Sequence, residues 1–321
     1  MSTVIEAPAT AATAARTAQA APAAEKALVG LIGAGIRRSL SPALHEEEAR
    51  AQGLRLHYQL IDLDGPGQGV EALPALLAAA RNMGFAGLNI TYPCKQAVIP
   101  LLDALSDEAA AMGAVNTVVF EAGEAAERGE RGVKAIGHNT DGSGWRWGFE
   151  RSLPHADLSR VVLLGAGGAG SAIAHAVLRM GAQALVLVDA DAARAAGAAE
   201  RLNALYPGQR ATFAASAKAA LARSAGATGL IHATPTGMER QPGLPLDAAL
   251  LGPQLWVSEI VYFPLETALL KAARAAGCAV SDGGTMAVGQ AVGAFSLFTG
   301  MVPDAARMEA HFRRLVAARG G

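Results

Sequence analysis

With 321 residues, 51% of them hydrophobic, the chain carries enough apolar material for two separate cores, because single cores stop growing near this length. Its 27 Lys and Arg balance 28 Asp and Glu for a formal net charge of −1, so it has no basic field to hold a nucleic acid or an anionic membrane, and a small molecule is the expected partner. Cys94 and Cys278 lie far apart with no CxxC or Cys/His spacing, which argues against a disulfide framework and a structural metal. No apolar run reaches bilayer-spanning length and no basic patch precedes an apolar stretch at the N-terminus, so a reducing cytoplasm is the expected compartment.

Residues 1–26 are mostly Ala, Thr and Pro, with too little bulky apolar surface to offset the entropy of ordering, and read as a flexible tail. Beyond them short apolar runs at 28–32, 58–63, 86–90, 115–120, 161–164, 185–188, 230–233 and 256–261 alternate with Ala-rich helical stretches, the pattern of an α/β protein with parallel strands. The stretch 120–131, with Glu, Gly and Arg interspersed, reads as a solvated hairpin connection. A glycine-rich turn falls near the middle of the chain. A substrate-binding α/β domain over 27–140 is therefore expected to precede a doubly wound, parallel-sheet (Rossmann) dinucleotide-binding domain over 141–282, with apolar helices in 283–321.

That turn is Gly165-Ala166-Gly167-Gly168-Ala169-Gly170, preceded by the strand 161–164 and followed by a helix over 171–180 and a strand ending at Asp189. Glycines there let the backbone approach a pyrophosphate at a helix N-terminus, and an acid about 20 residues on takes the ribose hydroxyls. Among 37 glycines a bare GxGxxG is weak; strand, helix, second strand and acid together make it specific. The charge of Asp189 would repel a 2′-phosphate, and Ala190-Asp191 adds no base, so NAD is expected over NADP. The plainer reading of Asp189 is a solvated residue at a strand end.

Three polar clusters interrupt strand ends or helix starts, where ligands bind in α/β folds. They are Ser39-Leu40-Ser41-Pro42; Asn89-Ile90-Thr91-Tyr92-Pro93-Cys94-Lys95; and Asn116-Thr117 with Asn139-Thr140-Asp141-Gly142. With these motifs, GAVNT ending at Thr117, GAGGAG, Ala233-Thr-Pro-Thr-Gly-Met238, Val261-Tyr262 and a segment from Asp282 to Gln290, the chain resembles the shikimate dehydrogenase family over everything after the tail. The resemblance implies oxidation of one ring hydroxyl of shikimate to 3-dehydroshikimate, and of quinate to 3-dehydroquinate, by a monomer or homodimer whose C-terminal helices return to the first domain.

It also implies roles. Lys95 is the expected acid/base, because hydride departure from a carbinol carbon requires the hydroxyl proton to leave and a partly buried lysine can take it; Asp141, at a helix start, is its expected partner. Ser39, Ser41 and Tyr262 match carboxylate contacts, and Asn89, Thr91, Asn116 and Gln290 belong to the group reading ring hydroxyls. Thr234, Ile260 and Gly283 are expected near the nicotinamide. Ser41-Pro42 also reads as an N-cap followed by an N1 proline, a helix start that offers amides to an anion.

Some positions depart from the family pattern. His138 stands where many relatives have an acid, Glu259 where Asp precedes the Val-Tyr pair, and Asp189 where NADP-using members carry an Asn-Arg-Thr/Ser clamp. The last favours NAD and a catabolic role. Serine rather than threonine at Ser41 favours shikimate over quinate. Arg37 and Arg38 read either as an attractor of an anionic substrate or as solvated loop residues. His45, His57, His155, His175 and His232 read as core or surface histidines, and Trp145 and Trp147 as core. A paralogue acting on an aminated ring, and a non-catalytic NAD or shikimate sensor on the same fold, are the competing readings.

Overall fold

The computed structural model describes residues 26–65, 69–125, 131–208 and 210–319. The tail therefore lies outside the described residues, apart from Lys26, which opens the first strand.

The first sheet is built from β1 (Lys26–Gly33), β2 (Arg55–Asp62), β3 (Gly87–Ile90), β4 (Ala104–Leu105), β5 (Thr117–Ala125) and β6 (Arg131–His138), in the order β2-β1-β3-β5-β6-β4. The strands that flank β1 run parallel to it. β5 pairs antiparallel with both β3 and β6. Of the connection expected over 120–131, the described residues are strand: β5 continues to Ala125, β6 starts at Arg131, and 126–130 lie outside the described residues. Exposed Glu121 and Ala122 gave this extension no apolar alternation to announce it.

Helices α1 (Ser41–Ala51), α2 (Leu73–Asn82), α3 (Cys94–Ala97) and α4 (Asp107–Met112) join these strands. One face of the sheet packs Ile32, Leu88, Ile90 and Val118 with Val98, just past α3, against Leu73 and Leu77 of α2. The second half follows α5 (Asp141–Ser152) with β7 (Arg160–Leu164), α6 (Gly168–Arg179), β8 (Ala184–Val188), α7 (Ala192–Leu205), β9 (Arg210–Phe213), α8 (Ala217–Ala220), β10 (Gly229–His232), β11 (Trp256–Glu259), α9 (Ala268–Ala275) and β12 (Ala279–Ser281). All pairings in this sheet are parallel, and its order β12-β11-β10-β7-β8-β9 reverses direction between β7 and β10. That is the doubly wound arrangement, which opens a crevice beyond the C-terminal ends of the two strands at the reversal.

The chain ends in α10 (Gly283–Thr299) and α11 (Ala305–Ala318). α10 begins beside β12 and ends with Ala294 and Phe298 packed on Val29, Leu31 and Tyr58 of the first sheet. Val288 and Ala291 meet Leu40, Leu44, Met308 and Phe312, so α1, α10 and α11 form one layer. Buried Glu48 fastens it, its two oxygens taking Arg307 Nη2 at 2.7 Å and Nε at 2.8 Å. α5 crosses α10 at glycines. A methyl group on Gly144 would come within 2.3 Å of the Gln290 nitrogen, and one on Gly289 within 2.5 Å of the Gly144 oxygen. The far end of α5 carries Trp145 and Phe149, stacked at 4.7 Å, into the core of the second sheet.

His45 of α1 is fully buried, 4.9 Å from the Tyr58 ring, and neither ring nitrogen has a hydrogen-bond partner among the described residues. Burial pushes its pKa down from 6.5 to about 3. The unfolded chain therefore binds a proton that the folded chain refuses between those values. Stability is complete above the unfolded value and declines as the pH falls toward the folded one. The expected loss by pH 5 from this group alone is about 2 kcal/mol. Urea unfolding of His45→Leu at pH 7.5 and pH 5 should show a drop smaller than the wild type's by that amount; equal drops would show that the imidazole is not the sensitive group.

Candidate active site

Lys95 and Asp141 sit where the ends of the first sheet face the glycine turn. Lys95 projects from short α3, just after β3, and its ammonium pairs directly with Asp141 Oδ2 at the first residue of α5. The side chains are 18% and 7% exposed, so the pair is screened from solvent but reachable from it. Asp141 Oδ1 accepts from Asn116 Nδ2 at 3.0 Å, and its backbone N–H donates to Asn139 Oδ1 at 2.9 Å. Asn116 Oδ1 in turn accepts from the Thr140 N–H at 2.8 Å and the Thr117 hydroxyl at 2.9 Å, while Asn139 Nδ2 reaches the Ala114 carbonyl. Asp141 is thus locked by groups that are themselves locked.

The chain of bonds continues toward α1. Asn89 Nδ2 donates to the Thr117 hydroxyl at 3.1 Å, and Asn89 Oδ1 accepts from the Tyr58 hydroxyl at 2.7 Å. That hydroxyl also meets Ser41, and burial pushes its pKa well above the ordinary phenol value. Tyr58 was not singled out from the sequence: it sits in a strand run where aromatic residues are ordinary, and its partners come from other segments. Ser41 is not an N-cap. Leu40 occupies that position without a side-chain bond, Ser41 begins the helix, and the Ser41 N–H is taken at 3.2 Å by the Ser39 hydroxyl, which donates to Ser41 Oγ at 3.1 Å. The Ser41 hydroxyl is therefore not consumed in capping its own helix.

Other expected residues occupy the rim. Thr91 follows β3 against Gly33, where its methyl would meet any side chain at Gly33 within 2.2 Å. The exposed Tyr262 ring packs 6.3 Å from Phe312, and its hydroxyl lies in the fields of Asp141 and Arg319. The Gln290 carbonyl accepts from the Thr140 hydroxyl at 3.1 Å, while its side-chain amide donates to the Ala287 carbonyl at 3.0 Å. Arg37 and Arg38 are exposed loop residues with acidic neighbours. Arg37 pairs with Asp62 at 3.5 Å; Arg38 pairs with Glu239 of the second half at 2.7 Å and lies 4.7 Å over the Phe263 ring.

Across the crevice, Gly165 has φ +97°, a conformation glycine adopts freely, and a methyl group on Gly170 would come within 2.0 Å of the Gly165 carbonyl oxygen. Gly167 precedes α6 and no side chain caps that helix, so its first amides face the crevice together with Gly168 and Ala169. The cradle fits a pyrophosphate. Lys95 adjoins it, its Cδ lying 3.5 Å from where a Gly168 side chain would start. Asp189 directly follows β8 with its side chain 8% exposed, so it is not a solvated strand-end residue. Its Oδ2 accepts the Ala166 N–H at 2.7 Å and its Oδ1 the Asp191 N–H at 2.9 Å. Sequence reading missed Arg194, which reaches Asp189 at 3.3 Å and Asp191 at 3.5 Å from the first turn of α7. Thr234 adjoins Gly165, and Gly283 lies against the carbonyls of Ile260 and Val261.

A family model described as the shikimate dehydrogenase substrate binding domain matches residues 31–118. A protein of Streptomyces avermitilis named shikimate dehydrogenase (NADP(+)) is 57% identical over 288 residues, covering 90% of this chain and 95% of that one. The chain belongs to the shikimate dehydrogenase family. A Corynebacterium efficiens family member, named quinate/shikimate dehydrogenase (NAD(+)), is 46% identical over 90% of this chain and 98% of its own. The solved quinate dehydrogenase from Corynebacterium glutamicum in complex with NAD superposes with a TM-score of 0.80 at 45% identity, over 90% of this chain and 99% of that chain. Family membership and the ordered site agree on an α/β enzyme fold with a dinucleotide crevice. Among the described residues no helix is long and apolar enough to cross a membrane, and no cluster of three potential metal ligands occurs.

Proposed function

We propose that this chain is a dehydrogenase that uses NAD in preference to NADP to oxidise one ring hydroxyl of shikimate, giving 3-dehydroshikimate, and of quinate, giving 3-dehydroquinate. The observation that carries this reading is the Lys95–Asp141 pair, held by Asn116 and Asn139 and set directly against the glycine turn. The bound dinucleotide supplies the hydride acceptor. Unprotonated Lys95 Nζ takes the hydroxyl proton as the carbon is oxidised, and in the reverse direction the ammonium returns it. Asp141 stabilises that ammonium and orients it. Ser39, Ser41 and Tyr262 would receive the ring carboxylate, while Asn89, Thr91, Asn116 and Gln290 would pair with hydroxyls. A site that pairs hydroxyls in this way disfavours rings lacking them.

Initial rates of absorbance change at the reduced-nicotinamide band, with shikimate or quinate and with NAD+ or NADP+, test the reading. Formation of NADH with either polyol is expected, fastest with shikimate, and its absence with both would overturn the proposal.

The cofactor preference rests on local charge. Asp189 and Asp191 outnumber Arg194, so a 2′-phosphate would enter a net negative corner. Asp189→Asn keeps an oxygen for the Ala166 N–H but removes the charge and releases Arg194. The ratio of kcat/KM for NADP+ over NAD+ should rise about tenfold or more. An unchanged ratio would place the preference elsewhere.

A further inference from the structure

Glu259 and His232 form a fully buried ionisable pair on the nucleotide side of the crevice, separate from the Lys95–Asp141 pair. They end β11 and β10 in direct register, each 0% exposed at the side chain, with His232 Nδ1 2.8 Å from Glu259 Oε1. Such a pair is costly to bury unless all its bonding capacity is met. Here it is met completely. Glu259 Oε1 also accepts the N–H groups of Ile260 at 2.9 Å and Val261 at 3.0 Å, and Oε2 accepts the Thr267 hydroxyl at 3.0 Å. The other imidazole nitrogen, Nε2, lies 2.5 Å from the Thr234 hydroxyl.

We infer that His232 and Glu259 are positioning residues that fix Thr234 as a hydrogen-bond acceptor toward the carboxamide of the bound nicotinamide. This rests on the proposed placement of the cofactor beside Thr234. A carboxylate surrounded by donors has no room for its own proton, so Nδ1 carries the hydrogen. In the neutral imidazole Nε2 is then bare and takes the Thr234 hydroxyl proton. Thr234 Oγ1 keeps only lone pairs for its remaining side, where the Thr236 N–H is a distant 3.4 Å away. A carboxamide offers an NH2 donor at one end and a carbonyl acceptor at the other. An acceptor-only threonine selects the NH2 end, and so sets which way the amide turns. The same carboxylate pins the amides of Ile260 and Val261, whose carbonyls crowd Gly283, so one buried unit braces both strand ends expected to border the ring.

Calorimetric affinities for NAD+ and for its 3-acetylpyridine analogue, whose acetyl group replaces the NH2 with a methyl, test the polarity without touching the pair. The wild type should bind the analogue about tenfold more weakly. Thr234→Val should bind both equally, at the weaker level, while Thr234→Ser keeps the discrimination. His232→Phe should lose the same discrimination, and His232→Phe with Thr234→Val should be no weaker than Thr234→Val alone. Equal wild-type affinities, a bare Nδ1 in long-range proton–nitrogen spectra of His232, or multiplicative losses in the double variant would each overturn the inference. If Thr234→Val leaves both affinities at wild-type values, the cofactor placement itself is wrong. These measurements need no turnover, so failure to find a polyol substrate leaves them intact. Should His232→Phe fail to fold, the analogue comparison and the spectra still decide.

Discussion

Lys95→Ala should lower kcat by about 10²–10⁴-fold while leaving the affinity for shikimate within a few-fold of the wild type. The separation follows from how the site is held. Asp141 keeps its bonds to Asn116 and Asn139 when the ammonium is removed, and the hydroxyls of Ser39 and Ser41 lie on another element, so the binding surface survives the loss of the proton carrier. Lys95→Arg is the sharper control. A guanidinium restores the positive charge beside Asp141 but cannot be deprotonated at any usable pH, so it should remain within about tenfold of the alanine variant. Stopped-flow absorbance for turnover and calorimetry for affinity read the two quantities separately. Near-normal turnover in either variant would remove Lys95 from the chemistry.

Gly144→Ala should be strongly destabilising. The added carbon would come within 2.3 Å of the Gln290 nitrogen and 2.8 Å of the Gly289 carbonyl carbon. These are backbone atoms of another helix, with no side chain to swing aside. α10 must therefore move away from α5, and overpacking of this kind costs about 3 kcal/mol. Asp141 opens α5 and Gln290 lies on α10, so the displacement should also lower kcat. Gly132→Ala, where an added methyl meets nothing within 4 Å, should stay within about 0.5 kcal/mol of the wild type. Urea denaturation of the two variants side by side makes the comparison, and equal midpoints would show that the crossing tolerates expansion.

Most of the strands readable in the sequence are buried ones, the edge strand β2 with its Tyr58 run excepted. Runs such as Val161-Val-Leu-Leu164 are covered on both faces and therefore uninterrupted by polar residues. β9 stayed hidden because Arg210-Ala-Thr-Phe213 is a short edge strand without an apolar run, and β4 and β12 because two or three residues carry no period. At the site, local motifs announced Lys95, Asp141 and the glycine turn, since each motif packs several constrained residues into a short span. What escaped was adjacency created by folding. Tyr58 and Asn89 meet across 31 positions, and His232 and Glu259 across 27 because β10 and β11 run parallel in register. His232 was legible only as an ordinary core histidine, although Glu259 had already stood out as a departure. The N-cap expected of Ser41 failed by one residue: the helix takes in Ser41 itself, and the Ser41 N–H donates to the Ser39 hydroxyl.

The crossing of α5 and α10 limits how this molecule can be recombined. α5 starts at Asp141 and ends inside the nucleotide-side core, whereas α10 starts on the nucleotide side and ends beneath the first sheet. Each half thus owns part of the other's helix. A chimera cut at Asp141 alone would pair foreign surfaces at the glycine contact, so exchanging the dinucleotide module for one of different cofactor taste requires transplanting α5 and α10 as a matched couple.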